Sequence, residues 1–174
     1  CESRYLIGPF WSKSHRDQWP DIPFTDTRRD PGFPERRAVE ARATGAKSVW
    51  QLAGAGAVGS QALIGVAHLH RLRAEIGAQV WPFETGGAVP DGDVVLAEIY
   101  PALFREEIAA RAEPDEVPDR AQVRITASQL AALDRAGALD ALLDLRSLPD
   151  SVIAEEGWIL GVPVAGAVPR LRND

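Results

Sequence analysis

Methionine is absent from all 174 residues, position 1 included, and cysteine occurs once, at Cys1. A single cysteine excludes an internal disulfide, and three histidines beside it are too few for a Cys/His zinc cage. No apolar run approaches the roughly 18 residues that span a bilayer, so no membrane segment is expected. No charged-then-apolar signal segment opens the chain. A lone thiol suits a reducing compartment, and a cytoplasmic location is the expectation. A chain that opens on cysteine without methionine reads in two ways. One is a mature lipoprotein, whose signal does not appear here; the other, taken as the expectation, is a fragment whose own N-terminus lies upstream.

A strong basic face is also lacking. The net charge is −6, with nine Lys/Arg against seven Asp/Glu in residues 1–50, which leaves −8 on the remainder. A general nucleic-acid binder concentrates cations on one face. Only Arg28, Arg29, Arg36, Arg37 and Arg42 offer such a stripe, and a solvated loop and helix explain them as well. What is present is ordinary: 45% hydrophobic and 25% charged residues, enough for one domain with a real core.

Residues 1–34 are rich in Pro, Trp and Phe and read as an ordered, irregular leader. Residues 35–162 read as an α/β core and 163–174 as a tail, all within a single domain. Pro34 opens a helix over 35–43 that Gly45 ends. Residues 48–53 read as a short strand, followed by a glycine loop. A helix over 60–76 has Ser60 as its N-cap and Gly77 as its stop. Leu63, Val66, Ala67, Leu69, Leu72 and Ile76 give it one apolar face, expected to turn inward. Residues 78–83 form the next strand, and "TGGAVPDGD" is a turn. "VVLAEIY" (94–100) is nearly all apolar and reads as a central strand buried on both faces, closed by Pro101. Helices follow over 104–112, 119–136 and 138–145, with Leu130 and Leu133 inward. "EEGWILGV" closes the core as a turn and short strand.

Within "WQLAGAGAVGSQALIG", Gly54, Gly56 and Gly59 have the dinucleotide-binding spacing G-x-G-x-x-G. A carboxylate, Glu84, ends the next strand 25 positions later, near the roughly 20 expected of a ribose-binding acid. Gln51 interrupts the strand before the loop, and few βαβ units follow. Close helix packing and a tight turn explain the small residues as well. A phosphate of some other ligand also suits a helix N-terminus.

Glu98 stands in the apolar strand "VLAEIYP". A carboxylate there needs a partner: Arg37 or Arg124 as a salt bridge, or a metal ion. Asp119 opens a helix, as a plain N-cap near Gln122 or as a ligand, and Gln122 and Arg124 share its first turns. Glu40 reads as an i,i+4 partner of Arg36, and Glu155 and Glu156 as a surface turn. His68 and His70, two apart on a helix, face different ways. Ser60 lacks the nucleophile-elbow pattern.

Taken in order, "GPFW", "ERRAVEAR", "SVWQLAGAGAVGSQALIG", "VWPFE", "VVLAEIYP", "DRAQVR" with "LDRAGALDALL", and "EEGWILGV" resemble an uncharacterised bacterial family. That family is related to a domain of unknown function read as a nuclease of RNase H-like fold, and some members are labelled molybdopterin guanine dinucleotide synthesis proteins. The resemblance covers most of residues 8–162. It implies a three-layer mixed sheet flanked by helices, with its N-terminal strands, and the first-strand Asp they carry, missing upstream of Cys1. It implies that Glu98 and Asp119 are ligands of Mg²⁺ or Mn²⁺, with Gln122 and Arg124 orienting a nucleic-acid or nucleotide substrate. Trp50, Gln51, Glu84 and the Gly54–Gly59 loop would lie beside the site. Metal-assisted phosphodiester hydrolysis is the chemistry implied. Two alternatives stand beside it: a nucleotide or small-ligand enzyme of cofactor metabolism using the glycine loop, and a non-catalytic binding domain.

Overall fold

The computed structural model describes residues 9–14, 22–23 and 34–164. Arg28 and Arg29, most of the aromatic leader and the tail from 165 onward lie outside the described residues. The chain divides into two compact units, Cys1–Ile76 and Gly77–Asp174. Helices and a small two-stranded parallel sheet make up the regular structure of the described residues. No helix among the described residues is long and apolar enough to cross a membrane.

The first unit holds α1 (Ala38–Arg42) and α2 (Gly59–Ile76). Helix α1 is shorter than the helix expected over 35–43. Its start is fixed by Glu40, whose carboxylate reaches back to the Arg37 N–H at 3.1 Å. The same carboxylate accepts from the Arg37 guanidinium at 2.9 Å and from the Val49 N–H at 3.0 Å. Glu40 is thus a buried, fully engaged acid that joins α1 to the following loop, and its partner is Arg37, not Arg36. Arg36 donates to the Ala46 carbonyl at 3.0 Å.

Residues 48–53 do not form the expected strand. The Gln51 N–H turns back to the Ser48 carbonyl at 3.0 Å, and the Trp50 N–H donates to the Ser48 hydroxyl at 3.2 Å. A serine that offers its backbone neighbours a local bond competes with a ladder. Only an isolated parallel bridge remains, between Trp11 and Gln51. It brings Phe10 and Trp11 onto this segment, where Phe10 meets Trp50 edge-on at 5.6 Å.

Helix α2 begins where expected, yet its apolar side does not turn inward. Leu63, Val66, Leu69, Leu72 and Ile76 are between 42 and 66% exposed, and Gly59 is the one buried residue of the helix. Among the described residues, no other helix makes more than slight contact with α2. At about 100° per residue Leu63 and Leu72 stand on opposite sides of the helix, so these residues do not share one face, and most of the helix surface is exposed.

In the second unit, β1 (Gln79–Val80) pairs in parallel with β2 (Val95–Leu96), in the register Gln79 to Val95 and Val80 to Leu96. Both strands are shorter than expected. The Trp81 N–H still reaches the Leu96 carbonyl at 3.0 Å, but Pro82 has no N–H with which to extend the ladder. Beyond β2, Glu98 forms a parallel bridge with Ile159. The 94–100 segment is not buried on both faces: Val95 and Leu96 are half-buried, and Val94, Glu98 and Ile99 are exposed.

A 3₁₀ turn (Pro101–Phe104) leads into α3 (Arg105–Arg111), and both pack on α4 (Pro118–Arg135). Helix α4 follows from Pro118 at its first position, Asp119 in its first turn and Arg135 in its last. Ala121, Ile125, Gln129 and Leu133, four apart, form its buried stripe. After α5 (Asp140–Leu143) comes a π turn (Val152–Glu156).

Trp81 and Trp158 centre the core of this unit, at 2% and 1% exposure, with Ile125, Leu145 and Ile159. Each indole N–H has a carbonyl, Leu143 at 2.8 Å and Val162 at 2.8 Å. Two glycines fit tightly beside them. A Cβ on Gly87 would stand 2.7 Å from Ile153 Cδ1, and one on Gly157 2.6 Å from Phe83 Cζ; both have positive φ.

Removing the Glu40 carboxylate leaves the Val49 N–H and the Arg37 guanidinium without it. Glu40→Ala is expected to destabilise the first unit by about 3 kcal/mol and Glu40→Gln by less. Urea denaturation followed by Trp50 fluorescence checks this, and equal losses from both variants would count against it.

Candidate functional site

Two places hold the residues singled out by sequence, and they fall in different units: the glycine loop in the first, and the acids Glu84, Glu98 and Asp119 in the second.

The loop folds on itself through its carbonyls. The Gly59 N–H donates to the Gln51 carbonyl at 3.1 Å, and the Ser60 hydroxyl to the Leu52 carbonyl at 2.6 Å. The Ala53 carbonyl accepts from the Gln51 side-chain amide at 3.0 Å and from the Ser12 hydroxyl at 2.8 Å. The Ala57 N–H closes a turn on the Gly54 carbonyl at 3.1 Å. Ser60 is therefore a donor to the preceding segment and not the expected N-cap.

Gly54 and Gly56 have φ of +110° and +76°, a backbone region that favours glycine. Gly59 answers a different need. A Cβ there would lie 2.5 Å from the Gln51 carbonyl oxygen and 2.6 Å from that of Val49. Only glycine lets α2 start against that backbone, the part the third glycine plays in a dinucleotide fingerprint. Helical bonding starts with the Ala62 N–H to the Val58 carbonyl at 2.8 Å. The Ser60 and Gln61 amides precede it, with no helical carbonyl to take them.

In the second unit, Glu98 is exposed, past the carboxyl end of β2. Its backbone is held by the Leu160 N–H, which donates to the Glu98 carbonyl at 2.9 Å. Burial therefore does not force a partner on its carboxylate. Asp119 is exposed on the first turn of α4. It is not the cap: Val117 holds that position, and no side chain caps the helix. Gln122 is half-buried.

Arg124 is committed to a residue that sequence reading passed over. Its Nε and Nη2 grip both Glu116 oxygens, at 3.0 and 2.6 Å, and Nη2 also donates to the Arg111 carbonyl at 3.0 Å. The partner is Glu116, not Glu98. The Arg124 hydrogen bonds, opposed by desolvation and helped by Arg120, hold the Glu116 carboxyl down at about 2. The same contact raises Arg124. An eight-residue separation gives no helical i,i+4 signal, so this pair was not legible beforehand. A similar pair lies at an open depression lined by Ala141, Asp144, Arg146 and Ser147. There Arg146 bonds both Asp144 oxygens, at 2.9 and 2.5 Å, and holds that carboxyl at about 2.

Glu84 is also engaged. Its carboxylate accepts from the Val80 N–H at 2.7 Å, closing the turn after β1. Among the described residues, no three His, Cys, Asp or Glu side chains gather closely enough to hold a metal ion. Comparison with protein families, with curated proteins and with solved structures gives no match.

Two outcomes follow from this geometry. Because the folded Glu116 carboxyl lies below its ordinary value of 4.5, its contribution to stability is full above that value. It is lost as the pH falls from about 4.5 to about 2. Arg124→Ala is expected to return the carboxyl toward 4.5, read by carbon-detected NMR titration; an unchanged value would remove Arg124 as the cause. Gly59→Ala is expected to push the start of α2 off the Val49 and Gln51 carbonyls. Faster amide exchange across residues 59–62 is the readout, with α4 exchange unaltered.

Proposed function

We propose that the glycine loop binds the phosphate of a nucleotide or another phosphate ester. The observation that carries this reading is the fit of Gly59 against the Val49 and Gln51 carbonyls. It seats the first turn of an 18-residue helix directly behind a loop with two left-handed glycines. The Ser60 and Gln61 amides then stand at the positive end of the helix dipole, where anions are favoured. The loop is exposed from Gly54 to Gly56, so a phosphate reaches it without rearrangement. A nucleotide-binding enzyme of cofactor metabolism is the reading this supports. Glu84, bonded to its own turn, is not assigned the ribose.

The test is calorimetric titration with ATP, GTP and NAD, each at millimolar concentration. Ala55 is exposed and its φ is not in the left-handed region, so Ala55→Asp adds a carboxylate without backbone strain. It is expected to weaken binding at least about ten-fold, while Glu98→Ala leaves binding unchanged. No binding of any of the three nucleotides defeats the reading.

A second reading rests on Glu98. An exposed carboxylate past the carboxyl end of a parallel strand is where α/β sheets place ligand-binding groups. It suits metal-dependent phosphodiester hydrolysis in an RNase H-like protein, with Glu98 and Asp119 as oxygen donors to Mg²⁺ or Mn²⁺. The donors among the described residues do not complete such a site, and no step is derived through the metal. Manganese-dependent cleavage of bis(p-nitrophenyl) phosphate, lost in Glu98→Ala, is the expected result under this reading. Failure of both experiments with an intact fold leaves a non-catalytic binding domain.

A further inference from the structure

Lys47 lies across the glycine loop. Its Cγ and Cε come within 3.7 and 3.8 Å of the point where a Cβ on Gly56 would stand. The side chain therefore lies on the bare face of Gly56, and its ammonium, one bond beyond Cε, stands at the loop. The backbone on either side fixes this direction. Ala46 and Ser48 are buried, and Lys47 between them is exposed. The Ala46 N–H donates to the Ala43 carbonyl at 3.0 Å, the Ala46 carbonyl accepts from Arg36, and the Ser48 hydroxyl donates to the Glu35 carbonyl.

No acid holds the lysine there. A surface lysine ordinarily extends into water or meets a carboxylate. Among the described residues, the Lys47 ammonium has no hydrogen bond and no ion pair. Glu40, the acid nearest to it in sequence, is taken by Arg37 and the Val49 N–H. The first turn of α2 carries no acid either. The positive end of that helix and the Lys47 ammonium thus stand at one loop with no negative group to offset them. The chain as a whole has a net charge of −6, so this concentration of positive groups is local, and an anion relieves their repulsion.

We infer that Lys47 is the cation that binds the phosphate at this loop, and that the phosphate is a terminal, doubly charged one. The inference rests on the reading of the loop as a phosphate site. The Ser60 and Gln61 amides take phosphate oxygens from the helix side, and Lys47 adds a charge-assisted bond from the loop side. A terminal phosphate carries about 1.5 to 2 negative charges at pH 7, and a bridging phosphodiester carries about one. Attraction to a fixed cation grows with that charge. The ligand class narrows accordingly to nucleoside mono-, di- and triphosphates and other phosphomonoesters. It moves away from dinucleotides and nucleic-acid strands, whose internal phosphates are bridging.

The experiment titrates the full chain with ATP, GTP and NAD, the last of which has bridging phosphates only. The better of the two triphosphates is expected to bind at least about ten-fold tighter than NAD. Lys47→Gln is expected to weaken that triphosphate at least about ten-fold and to bring it level with NAD. Its circular dichroism and urea midpoint stay unchanged, because Lys47 is exposed and unpaired. Lys47→Arg keeps the charge and is expected to hold the affinity to within about three-fold. Arg71→Gln removes an exposed cation further along α2 and is expected to change it less than about two-fold. Native triphosphate affinity in Lys47→Gln, or equal losses from Lys47→Gln and Arg71→Gln, overturns the role of Lys47 and leaves the loop reading standing. NAD bound as tightly as the triphosphates overturns the terminal phosphate. Failure of all three to bind the wild-type chain removes the loop reading itself and the inference with it.

Discussion

With two residues in each strand, this backbone cannot satisfy its polar groups through a sheet. Side chains do what a ladder does elsewhere. Glu40 takes two backbone N–H groups, Glu84 takes one, and Ser12, Ser48 and Ser60 donate to carbonyls. The indoles of Trp81 and Trp158 cap carbonyls from inside the core. A buried N–H or C=O left alone costs roughly what a lost hydrogen bond costs. The turns and loops of this protein therefore depend on particular polar residues at particular places. That dependence explains why Glu40, Glu84 and Glu116 are engaged in holding the backbone or an arginine.

The same constraint separates what was readable in the sequence from what was not. Helices α3 and α4 were legible to within a residue or two, because the proline-bearing loop between them and the acid Asp119 in the first turn of α4 mark their ends by local physics. The strands were not. "VVLAEIY" is as apolar as a central strand, but pairing is settled by distant partners, and only Val95 and Leu96 find one in β1. In 48–53 a single serine hydroxyl was enough to turn an apolar run into a turn. The apolar residues of α2 are spread around an exposed helix, since a count of recurring apolar residues is silent about the neighbour that would bury them.

For the site, the glycine pattern carried more information than the acids. The three glycines are separately required, two by backbone conformation and one by contact, and this agreement between spacing and geometry lends weight to a phosphate at the loop. The immediate sequence neighbours of the acids say little about their partners. Their actual surroundings come from far along the chain, as with Glu116 and Arg124, where a bidentate pair removes an arginine that otherwise looks available.

Gly87 and Gly157 show a further side of such a fold. Each combines a left-handed backbone with a side that faces another residue at close range. Gly87 also offers its carbonyl to the Leu145 N–H at 2.7 Å. Alanine at either position meets two independent penalties, neither of which a neighbour's adjustment removes entirely. Sequence drift in this protein should therefore be uneven in an unaccustomed way. Exposed acids such as Asp119 are free to change as far as folding is concerned, while two residues with no side chain at all are held fast.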